Sequence, residues 1–218
     1  MCRVIGFIKN LYSGAYIAVR LMGDNDVKVL FHRDFSSLEV IRVSMGRWHY
    51  HFAKSIKDLG GVVVDLILLE KVVGQSVVYT IKLGQHIFGV IYYIAVLPEY
   101  RGRGHGKILL VSAEEILSDM SSEYILATIS GDNKASLKLF ESLDYKLYSW
   151  NQISRECGRR LAELVRMITC GYEDDIVAIK NMLQEPIFPG ICGIDRNSAR
   201  RWWRSACLKP WLDLRRGW

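Results

Sequence analysis

No apolar run in this 218-residue chain approaches the roughly 18–20 residues that a helix needs to cross a bilayer. The opening decapeptide MCRVIGFIKN has too short an apolar stretch for a secretory leader, and no small-residue cleavage site follows it. The five cysteines, Cys2, Cys157, Cys170, Cys192 and Cys207, form an odd set without a C-x-x-C pair. That argues against a zinc site or a secreted disulfide framework and predicts buried free thiols. One bridge, Cys192 to Cys207, is left open for the case of a hyperthermophile's protein. Internal repeats and low-complexity linkers are lacking as well. With 50% of its residues apolar and 24% charged, the chain reads as a folded, cytoplasmic protein without a metal. Its length fits one large domain or a domain plus a small appendage.

Excess charge is also lacking, except at one end. The net charge is +6. The segment from Arg196 to Trp218 carries seven basic residues (Arg196, Arg200, Arg201, Arg204, Lys209, Arg215, Arg216) and one acid, Asp213. The other 195 residues hold 22 of each sign and are formally neutral. The body is neutral and the tail is basic.

Ala15 to Met22 reads as a short apolar strand ended by the turn cluster Gly23-Asp24-Asn25-Asp26. The stretch from there to Leu59 is mixed, with Trp48, Phe52 and Ile56 at helical spacing before the stop Gly60-Gly61. GVVVDLILLE, VVGQSVVYTIK and HIFGVIYYIAVLP are three strands whose short breaks require antiparallel neighbours. KILLVSAEEILSDM fits one broad apolar helical face, and YILATIS is a further strand. Asp132 or Asn133 caps a helix running to Leu143, and YKLYSWNQIS is another strand. LAELVRMI is predicted to pair with it across Arg155 to Arg160, and YEDDIVAIKNMLQ to form a helix. Asn197 to Leu208 is the last helix. This alternation after an antiparallel meander makes the sheet mixed and the fold α/β or α+β.

Between the strand ending at Val96 and the next helix lies Arg101-Gly102-Arg103-Gly104-His105-Gly106. Glycines let the backbone approach a ligand closely, and the free N–H groups at a helix start point at negative oxygens. The loop therefore suits a diphosphate held by main-chain donors. Two nucleotide motifs do not fit: the string continues Gly106-Lys107-Ile108 instead of ending a P-loop, and its glycines fall as G-x-G-x-G.

IAVLPEYRGRGHGKILL resembles the acyl-CoA-binding signature of the GNAT acetyltransferase superfamily, Arg/Gln-x-x-Gly-x-Gly/Ala, with Arg101, Gly104 and Gly106 in its three places. NKASLKLFESLDY is similar to the family's second CoA segment through Asn133, Leu139 and Leu143, and VVGQSVVYTI to the strand before the signature. The resemblance covers about residues 15–170. It implies a mixed sheet with antiparallel N-terminal strands, a splayed central parallel pair (His86 to Leu97 and Tyr124 to Ser130) and helices on both faces. Acetyl-CoA would lie between the splayed strands. Main-chain groups near Ala95, Val96 and Leu97 would pair with the pantetheine arm. N–H groups from Arg101 through Gly102, Arg103, Gly104, His105 and Gly106 to Lys107 would hold the pyrophosphate, and Asn133 would bond the pantetheine side. The implied reaction is attack of a neutral amine, small or on a protein, on the thioester. It needs an oxyanion donor and a proton for the leaving thiolate.

Three positions depart from the family pattern. Val90 and Thr128 stand where some members carry a glutamate base, and Phe140 where many carry a proton-donating tyrosine. Asp144 replaces a glycine, which is tolerable because Asp adopts positive φ better than most residues. Tyr92 shares a strand face with Val90 and is the catalytic candidate; a core aromatic is the other reading of it. His49 and His51 read as surface histidines near the acceptor region, Glu70 as a solvated strand end, and His105 as a permissive position. Lys107, Lys134 and Lys138 would meet either the CoA phosphates or water.

The expected boundaries are an acyl-CoA-binding domain at 1–171 and a basic, Trp-rich helical extension at 172–218. RNSARRWWRSACLKPW interleaves Arg and Trp, as a phosphate-tracking, base-stacking nucleic-acid surface would. Docked tryptophans with solvated arginines, or a homodimer formed through the tryptophans, are the other readings. The leading function is acetyl transfer from acetyl-CoA to an amine. The alternatives are a non-enzymatic CoA-binding module whose tail binds nucleic acid or protein, and an acetyltransferase acting on an aminoacylated RNA.

Overall fold

The computed structural model describes residues 15–22, 25–183, 187–192 and 196–216. The chain divides into two compact units, Met1–Val78 with Tyr93–Ala113 and Tyr79–Tyr92 with Glu114–Trp218. Among the described residues no helix is long and apolar enough to cross a membrane.

In the first unit, β1 (Ala15–Met22), β2 (Asn25–His32), β3 (Val62–Leu68) and the start of β4 (Lys71–Leu83) follow one another in antiparallel order. The turn after β1 is tighter than expected, because Asn25 and Asp26 already pair with Met22 and Leu21; Gly23 and Asp24 lie outside the described residues. β2 was hidden in the mixed stretch, yet Val27, Val29 and Phe31 are buried while the residues between them are less so. That is the period of two of a strand with one face on the core.

Helices α1 (Glu39–Met45) and α2 (Arg47–Ser55) bury Val40, Ile41, Phe52 and Ala53. No local side chain caps α1; Gln75 of β4 does so instead. Its Oε1 accepts from the N–H groups of Val40 (2.9 Å) and Ile41 (3.3 Å), and its Nε2 donates to Ser37 O and Asp65 Oδ1, each at 2.8 Å. Asp65 Oδ2 in turn lies 3.0 Å from His32 Nε2, so the buried polar groups Asp65 and Gln75 both have partners. Gly74 of β4 has a packing reason. A Cβ there would stand 2.7 Å from Leu109 of α3 (His105–Asp119), so the helix rests directly on the strand backbone.

In the second unit the strands run β4, β5 (His86–Val96), β6 (Tyr124–Ile129), β8 (Ile176–Asn181), β7 (Lys146–Ser149). β4 turns into β5 at Gly84-Gln85, with Gly84 at φ +65°. β5 and β6 are parallel, and their pairing covers only Phe88–Val90 against Tyr124–Leu126. Both strands continue in this unit, to Tyr92 and Ile129, with no further pair between them. This is the expected splay, and it leaves main-chain groups on the facing edges without a strand partner.

Helix α4 (Lys134–Glu141) is capped by Asn133, as expected. Three expectations beyond it are corrected. The strand at YKLYSWNQIS is only β7, because Ser149 and Gln152 form a reciprocal capping box that starts α5 (Trp150–Cys157). LAELVRMI is not a strand but part of α6 (Arg159–Thr169), whose buried Leu161, Ala162, Leu164, Val165 and Ile168 recur at helical spacing. YEDDIVAIKNMLQ is not a helix: it contains β8, which lies between β6 and β7 and pairs antiparallel with both. The remaining elements are α7 (Ile187–Cys192), α8 (Arg196–Trp203), one wider π-type turn (Arg204–Leu208) and α9 (Lys209–Arg216).

The cysteines also differ from expectation. Cys157 is bridged to Cys192 and Cys170 to Cys207, with Cα–Cα distances of 5.4 and 5.6 Å. Among the described residues neither free thiols nor the Cys192–Cys207 pairing is found, because α6 and α8 pack together and bring Cys207 beside Cys170 at the C-terminus of α6; Cys2 lies outside them.

Candidate functional site

β5 ends at Val96, one turn of 3-10 helix follows at Pro98–Tyr100, and the glycine loop leads into α3. Gly102 (φ +74°) and Gly104 (φ +83°) are both left-handed, which a residue with a Cβ adopts only under strain. These two reversals turn the loop so that its amides collect at the start of α3.

The donors divide cleanly. Arg101 N–H is given to Pro98 O (3.2 Å) and Lys107 N–H to Gly104 O (3.0 Å). Between them, the N–H groups of Gly102, Arg103, Gly104, His105 and Gly106 make no hydrogen bond to any described residue. Five consecutive donors stand at the positive end of a fifteen-residue helix, an arrangement suited to an anion with several oxygens. Of the seven residues expected to supply donors, the outer two, Arg101 and Lys107, already give theirs to Pro98 O and Gly104 O.

Two of the loop's side chains fold back onto main-chain carbonyls. Arg101 Nε donates to Val96 O at 2.9 Å, and His105 Nδ1–H donates to Tyr100 O at 2.8 Å. His105 is 8% exposed, so it latches the loop and is not merely tolerated. Arg103 and Lys107 are exposed. Val96 O also accepts from Ser44 Oγ at 3.4 Å, and Leu97 N–H is donated to Val73 O of β4 at 2.9 Å. Of the main-chain stretch Ala95 to Leu97, those two groups are thus already engaged.

Near the end of β5, Tyr93 meets His49 of α2 edge-on, ring centroids 5.4 Å apart. His49 is half-buried, not a surface histidine, and only its place on a helix with Phe52 hinted at this in the sequence. Glu70 is the solvated strand end it was read as, paired with Lys28 at 2.7 Å.

The second unit holds the other candidates. Tyr92 packs edge-on against Tyr79, centroids 5.6 Å apart. Tyr79 is fully buried and its hydroxyl donates to Ile168 O of α6. Asn133 is exposed, with Oδ1 accepting from Ser136 N–H at 3.1 Å. Lys134 Nζ donates to Gly131 O at 2.6 Å, while Lys138 is exposed. Phe140 packs in the core against Tyr145, centroids 4.8 Å apart, and Asp144 does take a positive φ of 65°. No three of the described His, Cys, Asp and Glu residues are grouped to hold a metal ion.

The model of the family described as Acetyltransferase (GNAT) family matches residues 30–145. An acetyltransferase of Sodalis glossinidius is 36% identical over 83 residues, 38% of this chain and 58% of that protein. One of Photorhabdus laumondii is 37% identical over 83 residues, 38% of this chain and 57% of that protein. The chain thus spans somewhat over half the length of these relatives. A solved structure from Desulfovibrio desulfuricans, described as of the GNAT family, superposes with a TM-score of 0.51 at 16% identity, covering 70% of this chain and 98% of that one. At that identity the likeness speaks for the fold alone.

Proposed function

The chain belongs to the acetyltransferase (GNAT) family, and from that premise we propose that it transfers an acetyl group from acetyl-CoA to an amine. The observation that carries this reading is the run of undonated N–H groups from Gly102 to Gly106 at the start of α3. They would hold the CoA diphosphate, while Arg101 and His105 keep the loop in shape. A neutral amine attacks the thioester carbonyl; a C–N bond forms, the C–S bond breaks, the nitrogen gives up one proton to solvent, and the thiolate takes one. Tyr92 is nominated to supply that proton.

The test is incubation of the purified chain with labelled acetyl-CoA and a panel of small amines and peptides. Transfer to at least one acceptor is expected; tight CoA binding with transfer to none would count against the reading. Tyr92→Phe keeps the ring packing against Tyr79 and removes the hydroxyl. A fall in kcat of about 10²-fold or more with KM little changed is expected of a general acid. An unaltered kcat would leave Tyr92 a packing residue only.

A further inference from the structure

The seven cations behind the net charge all face water. Arg196, Arg200, Arg201, Arg204, Lys209, Arg215 and Arg216 are each exposed, with Asp213 the only acid among them. The tryptophans interleaved with them, Trp202, Trp203 and Trp211, are half-buried. Trp202 lies on Tyr79 with ring centroids 4.7 Å apart, and one face of Trp211 is covered by the Arg215 guanidinium at 4.2 Å. Ala199, Ala206, Cys207 and Pro210 are buried beside them.

Helical periodicity makes this separation. Arg196, Arg200 and Arg204 recur every four residues and so form one stripe along α8 and into the wider turn that follows it, with Arg201 next to it. Like charges at that spacing repel, a cost that a bound polyanion would relieve. Lys209 has its own acid, Asp213, at 2.7 Å, whereas among the described residues the stripe forms no ion pair. The Cys170–Cys207 bridge ties this segment to α6.

The half-burial of the aromatics narrows the partner. Single-stranded nucleic acid is gripped by stacking on open aromatic faces, and Trp202 and Trp211 each already have a ring face occupied, by Tyr79 and by Arg215. A membrane surface takes up the apolar side of an amphipathic helix, and here that side is packed on the protein. What stands outward is a row of guanidinium forks shaped for phosphate oxygens. We propose that the stripe Arg196, Arg200, Arg201 and Arg204 binds the phosphate backbone of double-stranded DNA without regard to sequence. This goes beyond the transferase reading and does not depend on it.

The test uses the full chain and a fluorescent 20-base-pair duplex in a titration followed by anisotropy. With about four phosphates contacted, raising salt from 50 to 200 mM should weaken binding about 100-fold. Replacing Arg196, Arg200 and Arg204 together by Gln should lower the salt slope by about three and remove most of the affinity. Trp211→Ala should leave the affinity within about threefold, since one face of its ring is already occupied. The proposal is overturned if the triple variant binds like the parent, if salt has no effect, or if a single strand of equal length binds more tightly than the duplex. Binding to phosphatidylserine vesicles in place of DNA overturns it as well.

Discussion

The cradle after β5 and the arginine stripe along α8 and the turn after it are both proposed to take anions, yet they are made of different material. The cradle uses five main-chain N–H groups whose directions follow from two left-handed glycines and the start of a helix. Two of its basic or titratable side chains, Arg101 and His105, are turned to the main-chain carbonyls of Val96 and Tyr100, while Arg103 is exposed. The stripe uses full charges on long flexible stems in water. Fixed dipoles beside a ligand act at contact distance, whereas exposed charges are screened beyond a Debye length of about 8 Å at physiological salt. A count of charges therefore finds the stripe and passes over the cradle.

The largest effect expected from breaking this comparison is on stability. Cys170→Ser opens a bridge spanning 37 residues and should cost about 4 kcal/mol of unfolding free energy on the loop-entropy account, read as a lower urea midpoint without reductant. Acetyl-CoA affinity should stay within about twofold, as for independent sites; a parallel loss would mean that the two surfaces are not separate devices.

Next comes Gly104→Val. A Cβ at Gly104 meets nothing within 4 Å, so the penalty is purely conformational, φ being +83°. At about 2 kcal/mol it should weaken acetyl-CoA binding about 30-fold by calorimetry. DNA affinity and its salt slope should not move, and a shift in either would break the distinction.

His105→Ala removes the 2.8 Å bond to Tyr100 O and should cost about 1 kcal/mol, or about fivefold in acetyl-CoA affinity. No change at all would deny His105 its latching role.

The smallest effect is expected at His32. Burial alone would lower its pKa, but the hydrogen bond and charge of Asp65, with the charge of Asp34, raise it above 6.5 overall. A raised folded value means the stabilisation is complete below pH 6.5 and is lost as pH climbs through the folded value. His32→Gln should flatten that part of the stability profile; a variant that keeps the parent's slope there would remove His32 as its source.

The cradle was legible because everything that makes it is local. Alternating β-branched residues end at Val96, glycines punctuate the turn, and apolar residues at helical spacing begin at Ile108. The segment from Lys146 to Asn181 was misread although it carried signals. Ser149-Trp150-Asn151-Gln152 is a capping box, and Leu161, Leu164, Val165 and Ile168 have a helix's spacing. β8 had no such signal: Ile176-Val177-Ala178-Ile179 is too short an apolar run to tell a strand from a buried helix.

By itself the sequence determined the strand, turn and helix of the cradle, the family, and the confinement of the net charge to the tail. Those follow from backbone preference and residue spacing, which act over a few neighbours. Only the tertiary structure decided that β8 enters between β6 and β7, that Gln75 caps a helix 35 residues before it, and that Cys157 meets Cys192. It also decided that the tryptophans of α8 and α9 are half-buried, Trp202 against Tyr79, while their arginines are exposed. Each of these depends on which distant apolar face is available for burial, and no short window of residues contains that information.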